Sequence, residues 1–112
     1  MQRMTVAHGR LLLPTAAPAR GERAEVVARF AGVVIEQVVS GALDAPVDYD
    51  QDHDEWAVVL AGAAVLDIGG VRHDLTPGDW VLLPAHVAHR LVHTQPGTVW
   101  LTVHGAPAGA PQ

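Results

Sequence analysis

What most limits the fold open to this chain is its punctuation: short apolar runs rich in β-branched residues are cut repeatedly by glycine and proline. Gly69-Gly70 separates residues 63–68 from Val71–Leu75, and two glycines that tolerate positive φ close such a pair into a tight hairpin. Thr76-Pro77-Gly78-Asp79 is a second turn, because proline presets φ and glycine accepts a positive one. Val33–Ser40, residues 56–60, Trp80–Leu83, residues 89–93 and residues 99–104 read as further strands. Many short strands with turns between them predict an all-β fold, an antiparallel barrel or sandwich.

The segments around this frame are plainer. Residues 1–20 carry two prolines and no sustained period, so they read as an irregular arm with a short edge strand at residues 10–13. GERAEVVARF, residues 21–30, is built of helix formers with Val26, Val27 and Phe30 on one face, which predicts a short N-terminal helix. The barrel domain then spans 21–105, and residues 106–112 form a flexible tail. A chain of 112 residues holds one such core and no second.

Composition removes several function classes. The formal charge is −5 with no arginine cluster, which disfavours phosphate backbones and predicts no nucleic-acid partner. All basic residues are arginine, and the chain is rich in alanine, a bias of GC-rich bacterial genes. With no cysteine, disulfides, thiolate metal sites and cysteine nucleophiles are excluded, which fits a cytoplasmic protein. The run Leu11-Leu12-Leu13 ends at Pro14, too short for a signal core, and no stretch is long enough for a membrane span. Ser40 is the sole serine and no base is placed beside it, so serine catalysis has no support.

Two clusters carry chemistry. In an extended strand alternate side chains share a face, so Tyr49, Gln51, His53 and Glu55 would point one way, a register that a turn inside the segment would break. Asp50, Asp52 and Asp54 then point the other. Beyond Trp80–Leu83 lie His86, His89 and His93, and the shared parity of His89, Leu91 and His93 predicts two imidazoles facing one interior. Imidazole, carboxylate and amide oxygen gathered inside a barrel suit a divalent ion. The plainer alternative is a buried Glu–His pair that holds the barrel mouth together. Trp56, Trp80 and Trp100 each begin or occupy an apolar strand and are expected in the core.

Glu55 is followed after six residues by Gly62, Gly78 after five by Pro84, and His89 comes next. In this order the chain resembles the cupin superfamily over roughly residues 33–104, and YDQDHDEW with GDWVLLPAHVAHR resembles its small single-domain bacterial members. The resemblance implies a small antiparallel, jelly-roll-like barrel. It also implies that Glu55 and His89 stand at metal-ligand positions. The two histidines of the family's first motif fall here on Tyr49 and Gln51, which leaves a donor set of Glu55, His89, Gln51, His53 and His93 for Zn, Fe, Mn, Ni or Cu. A site with fewer imidazoles than usual binds metal more weakly. The family's habits further imply a homodimer, with residues 11–13 and 33–35 as contact candidates.

Three functions compete on these grounds. The first is a metal-dependent enzyme acting on a small organic molecule. The second is a metal-free pocket that binds a small ligand, with Glu55 or a histidine as acid, base or hydrogen-bond partner. The third is a sensor or interaction module without catalysis.

Overall fold

A computed structural model describes residues 5–107. Nine strands follow a single 3₁₀ turn at Pro14–Ala16: β1 Glu22–Phe30, β2 Val33–Ser40, β3 Val47–Tyr49, β4 His53–Ala61, β5 Ala64–Ile68, β6 Val71–Leu75, β7 Trp80–Leu83, β8 His89–Thr94 and β9 Thr98–Pro107. They form a five-stranded sheet in the order β1-β2-β9-β4-β7 and a four-stranded sheet in the order β3-β8-β5-β6. Every strand pairing within the sheets is antiparallel. The result is the expected all-β, jelly-roll-like barrel.

Alternation sets the core. Ala57 and Val59 of β4, Leu66 of β5, Val81 and Leu83 of β7, Leu91 of β8 and Trp100 of β9 point between the sheets and are buried. The same parity sends Trp80 and Leu82 outward, and both are 59% exposed. Trp80 meets the half-buried Trp56 at 6.1 Å between ring centroids on that outer face. Of the three tryptophans expected in the core, only Trp100 is there. A run of apolar residues in a strand need not be buried on both sides, and this sheet leaves one face largely open.

The helix expected over residues 21–30 is a strand instead. β1 pairs with β2 from Glu22↔Ser40 to Phe30↔Val33, with a bulge between Val26 and Ala28. Ala31 and Gly32 close the hairpin with φ of 50° and 75°, the left-handed pair that matches strand twist. An isolated ten-residue helix is marginal in water, whereas this segment gains a full ladder against a committed strand.

The edge strand expected at residues 10–13 does not form. Leu12 N–H donates to Gln37 Oε1 at 2.7 Å, and Gln37 Nε2 donates to the Leu12 carbonyl at 2.8 Å. One side-chain amide, buried to 1% exposure, thus replaces a strand neighbour and ties the arm to β2. Gly41 lets the arm pass this close, since a Cβ there would lie 2.0 Å from the Pro18 carbonyl oxygen. The tail expected from residue 106 overlaps the end of β9, and residues 108–112 lie outside the described residues.

Candidate functional site

Between the two sheets lies a partly open cavity of about 220 Å³. Its apolar wall includes Val38, Ala57, Leu66, Leu83, Leu91 and Trp100. Its polar lining is Glu22, Glu36, Tyr49, Gln51, Glu55, His89, Thr102 and His104. Tyr49, Gln51 and Glu55 all reach the cavity, but not along one strand: Tyr49 ends β3 in the four-stranded sheet, Glu55 lies on β4 in the five-stranded sheet, and residues 50–52 between them belong to no strand. The aspartates between them face away: Asp54 Oδ1 accepts the Ala85 N–H at 2.9 Å, and Asp50 lies 3.6 Å from His86 Nδ1. His86 has a positive φ of 65° and its backbone N–H donates to the Gln51 carbonyl at 2.7 Å, so its role is in the loop.

His89 is held firmly. It is only 8% exposed, and its ring stacks on Tyr49 at 5.3 Å and 15°. Its Nδ1 donates to the Val87 carbonyl at 3.1 Å. A carbonyl can only accept, so in the neutral ring Nδ1 carries the proton and Nε2 is left as a bare lone pair. Nε2 has no hydrogen-bond partner among the described residues. Glu55 makes no side-chain hydrogen bond there either. The cavity thus holds a free carboxylate and a free imidazole acceptor.

Glu22 is already engaged, accepting from Ser40 Oγ at 2.5 Å and from the Tyr49 hydroxyl at 3.4 Å. Trp100 Nε1 in turn donates to Ser40 Oγ at 3.2 Å, so the indole, the serine and the carboxylate form one chain. Burial pushes the Tyr49 phenol up to about 12, aided by the charge of Glu22, the hydrogen bond to it and the charge of Glu55. Tyr49 therefore stays a neutral hydrogen-bond donor at physiological pH.

That shift predicts an alkaline limit on stability. A phenol that ionises near 10 in the unfolded chain and higher in the fold contributes stability in full below pH ~10, which is lost as pH rises toward ~12. Tyr49 is the single tyrosine, and the chain has no lysine or cysteine, so few other side chains titrate in this window. Urea midpoints measured from pH 9 to 11.5 should fall for the native protein and fall less for Tyr49→Phe. Parallel curves for the two proteins would show that Tyr49 ionises as freely as in an unfolded chain.

The remaining candidate residues separate. His53 points toward β9 rather than into the open cavity, with Nε2 2.9 Å from His104 Nδ1 and Nδ1 3.0 Å from Asp52 Oδ1. His104 Nε2 lies 3.0 Å from Thr102 Oγ1. Threonine, two imidazoles and an exposed aspartate form a continuous hydrogen-bonded line from the cavity to the surface. His93 stands outside. The register of β5 with β8 runs Val65↔His93 and then Leu66↔Leu91, so Val92 is an extra residue. This bulge keeps His89 and Leu91 inside and turns His93 to the exposed face, against the expected parity.

His104, Glu22 and Glu36 reach the cavity unforeseen. Trp100, Thr102 and His104 alternate along β9, so the signal for His104 was present once Trp100 is known to point inward. Glu22 was read as part of a helix and Glu36 as one residue of a strand, and nothing local marks either.

A transition-metal centre needs at least three strong donors converging within bonding range, near 2.0–2.2 Å from one point for zinc. Among the described residues no group of three or more His, Asp or Glu side chains is placed to hold an ion. By the motif resemblance, Tyr49 and Gln51 occupy the positions of two imidazoles, and His53 is taken up by His104. The residues present do not fit a resident Zn, Fe, Mn, Ni or Cu ion.

Comparison with known proteins agrees with this architecture. The family model of the cupin domain matches residues 34–104. The chain belongs to the cupin family. Among solved structures, this cupin is similar to a Ralstonia eutropha protein provisionally named a mannose-6-phosphate isomerase, at 35% identity and a TM-score of 0.76 over 90% of this chain and 99% of that one. A cupin superfamily protein of Desulfitobacterium hafniense shares 22% identity with a TM-score of 0.69, covering 94% and 99% of the two chains. KdgF from Halomonas sp. shares 24% identity with a TM-score of 0.65, covering 75% and 79%. The last two show the fold alone. Comparison with curated proteins found no match. No helix among the described residues of this cupin is long and apolar enough to cross a membrane.

Proposed function

We propose that this cupin binds a small organic molecule inside its barrel without a resident metal ion, with Glu55 and His89 as the polar anchors. The observation that carries this reading is His89, nine-tenths buried, with its Nε2 unpartnered beside a cavity that also holds a free carboxylate. An acceptor on the cavity wall with no protein partner among the described residues can receive a hydrogen from a ligand. At about 220 Å³ the space is below the ~300–1,000 Å³ typical of drug-sized sites, so the ligand is small.

The provisional name of the Ralstonia protein would suggest a sugar phosphate. Phosphate recognition relies on arginine or lysine, yet no arginine lines this cavity and the chain has no lysine. The phosphate part of that name therefore finds no support in the lining.

The test is a thermal-shift screen of small metabolites with and without a chelator. A ligand at about 100 times its Kd stabilises by about 2.7 kcal/mol, a readily visible shift. The expected hit persists in the chelator and disappears in His89→Ala and Glu55→Gln. Purified protein carrying close to one metal per chain, lost in Glu55→Ala, would sink the metal-free reading.

A further inference from the structure

The charge in the cavity has one sign. Three carboxylates, Glu22, Glu36 and Glu55, line it, and no cationic arginine or lysine does. Carboxylates alone would not define a site, but His89 is a second, independent observation: the residue is 8% exposed and lines the cavity, its Nδ1 proton is committed to Val87, and its Nε2 has no protein partner among the described residues. Glu22 already accepts two hydrogen bonds, and Glu36 Oε1 lies 3.8 Å from His104 Nε2. Glu55 has neither. Glu55 and His89 line the same cavity together with Tyr49, whose ring stacks on His89.

Both open groups in that cavity are acceptors, and one is an anion. The ligand atom that satisfies both must bring at least two hydrogens, and a positive charge gains most. Leu66, Leu91 and Trp100 supply apolar wall, and the indole N–H is held by Ser40; the side-chain amide donor in the lining, Gln51 Nε2, lies 3.4 Å from His53 Nε2.

We propose that the occupant is a small primary amine bound as its ammonium ion, donating to the Glu55 carboxylate and to His89 Nε2 with its hydrocarbon part against Leu66, Leu91 and Trp100. The proposal rests on the small-molecule reading above and narrows it to one chemical class. A carboxylate or phosphate ligand would place like charges together in a partly desolvated space. An alcohol of the same shape brings one hydrogen and no charge, and charge-assisted hydrogen bonds are roughly twice as strong as neutral ones.

Three probes of matched size separate these cases: n-butylammonium, n-butanol and butyrate. Each is titrated into the ¹⁵N-labelled full chain at pH 7, with the Trp100 indole N–H and the His89 ring nitrogens as reporters. The amine should bind at least about tenfold more tightly than the alcohol, and butyrate should leave the reporters unmoved. In Glu55→Gln, checked as folded by its amide spectrum, the amine's advantage over the alcohol should vanish. Equal affinity of amine and alcohol, or preference for butyrate, would overturn the amine class while leaving an organic ligand in the barrel. If no probe moves the reporters, the amine class also falls. A metabolite of another class that stabilises the protein in the thermal screen would then preserve the broader reading. The absence of any such metabolite would remove both.

Discussion

Trp100→Ala should lower the unfolding free energy by about 3–5 kcal/mol, the usual cost of truncating a buried tryptophan. Trp100 is 6% exposed and sits on β9, between Val38 of β2 and Val59 of β4. Its ring closes the apolar end of the cavity, and its N–H holds Ser40, which holds Glu22. The truncation therefore opens a cavity where the two halves of the larger sheet meet and leaves a buried serine short of a donor. Domains of this size have about 5–15 kcal/mol in total, so the variant should retain a small margin at best. At about 4 °C per kcal/mol the melting temperature should drop by roughly 12–20 °C. Trp100→Phe refills most of the space and should recover more than half of the loss, separating packing from the indole hydrogen bond. Denaturant unfolding followed by circular dichroism gives both numbers. A loss below about 1 kcal/mol for the alanine variant would mean that Trp100 is not packed as described.

Gly62→Ala should cost about 2–5 kcal/mol, more than most single methyl additions. Gly62 links β4 to β5 at φ 85°, a conformation that costs a residue with a Cβ about 1–2 kcal/mol. The added methyl would lie 2.5 Å from Thr98 Oγ1 and 2.7 Å from Thr98 Cα, so it presses on backbone as well as a hydroxyl. Thr98 cannot easily yield. It is fully buried, accepts the Ala63 N–H at 3.2 Å and donates to the Gln95 carbonyl at 2.6 Å. Overpacking of this kind adds about 1–3 kcal/mol. Gly78→Ala is a useful control, since its φ of 93° is equally left-handed but its Cβ would meet nothing within 4 Å. The control should lose the conformational part alone. Equal losses at the two glycines would show that the contact with Thr98 contributes nothing.

Much of the barrel was legible because its signals are local. The Gly69-Gly70 hairpin, the turn at Pro77-Gly78 and the strands at residues 56–60 and Trp80–Leu83 depend on residues adjacent in the chain. Tyr49, Gln51 and Glu55 also reach the cavity as expected, though from β3 and β4 in opposite sheets rather than by the parity of one strand. β3 went unread because three residues after Pro46 carry too little pattern to distinguish a strand from a loop.

The site was only half legible, since its missing parts come from pairings across the chain. His104 meets His53 across 51 positions, and Glu22 enters because β1 is a strand rather than a helix. His93 was lost to a single extra residue at Val92, which one strand cannot reveal without its neighbour.

By itself, then, the sequence determined that the chain is all-β, where its turns fall, and that Glu55 and His89 share the barrel's polar end. Period-two alternation and the φ demands of glycine and proline act over a few residues, so they can be read locally. Tertiary structure alone decided that residues 21–30 extend, that Trp80 faces outward, that His93 leaves the interior, and that no three His, Asp or Glu donors among the described residues converge on an ion. Each of these depends on which strand lies alongside and in what register, and that is settled by burial of the whole core.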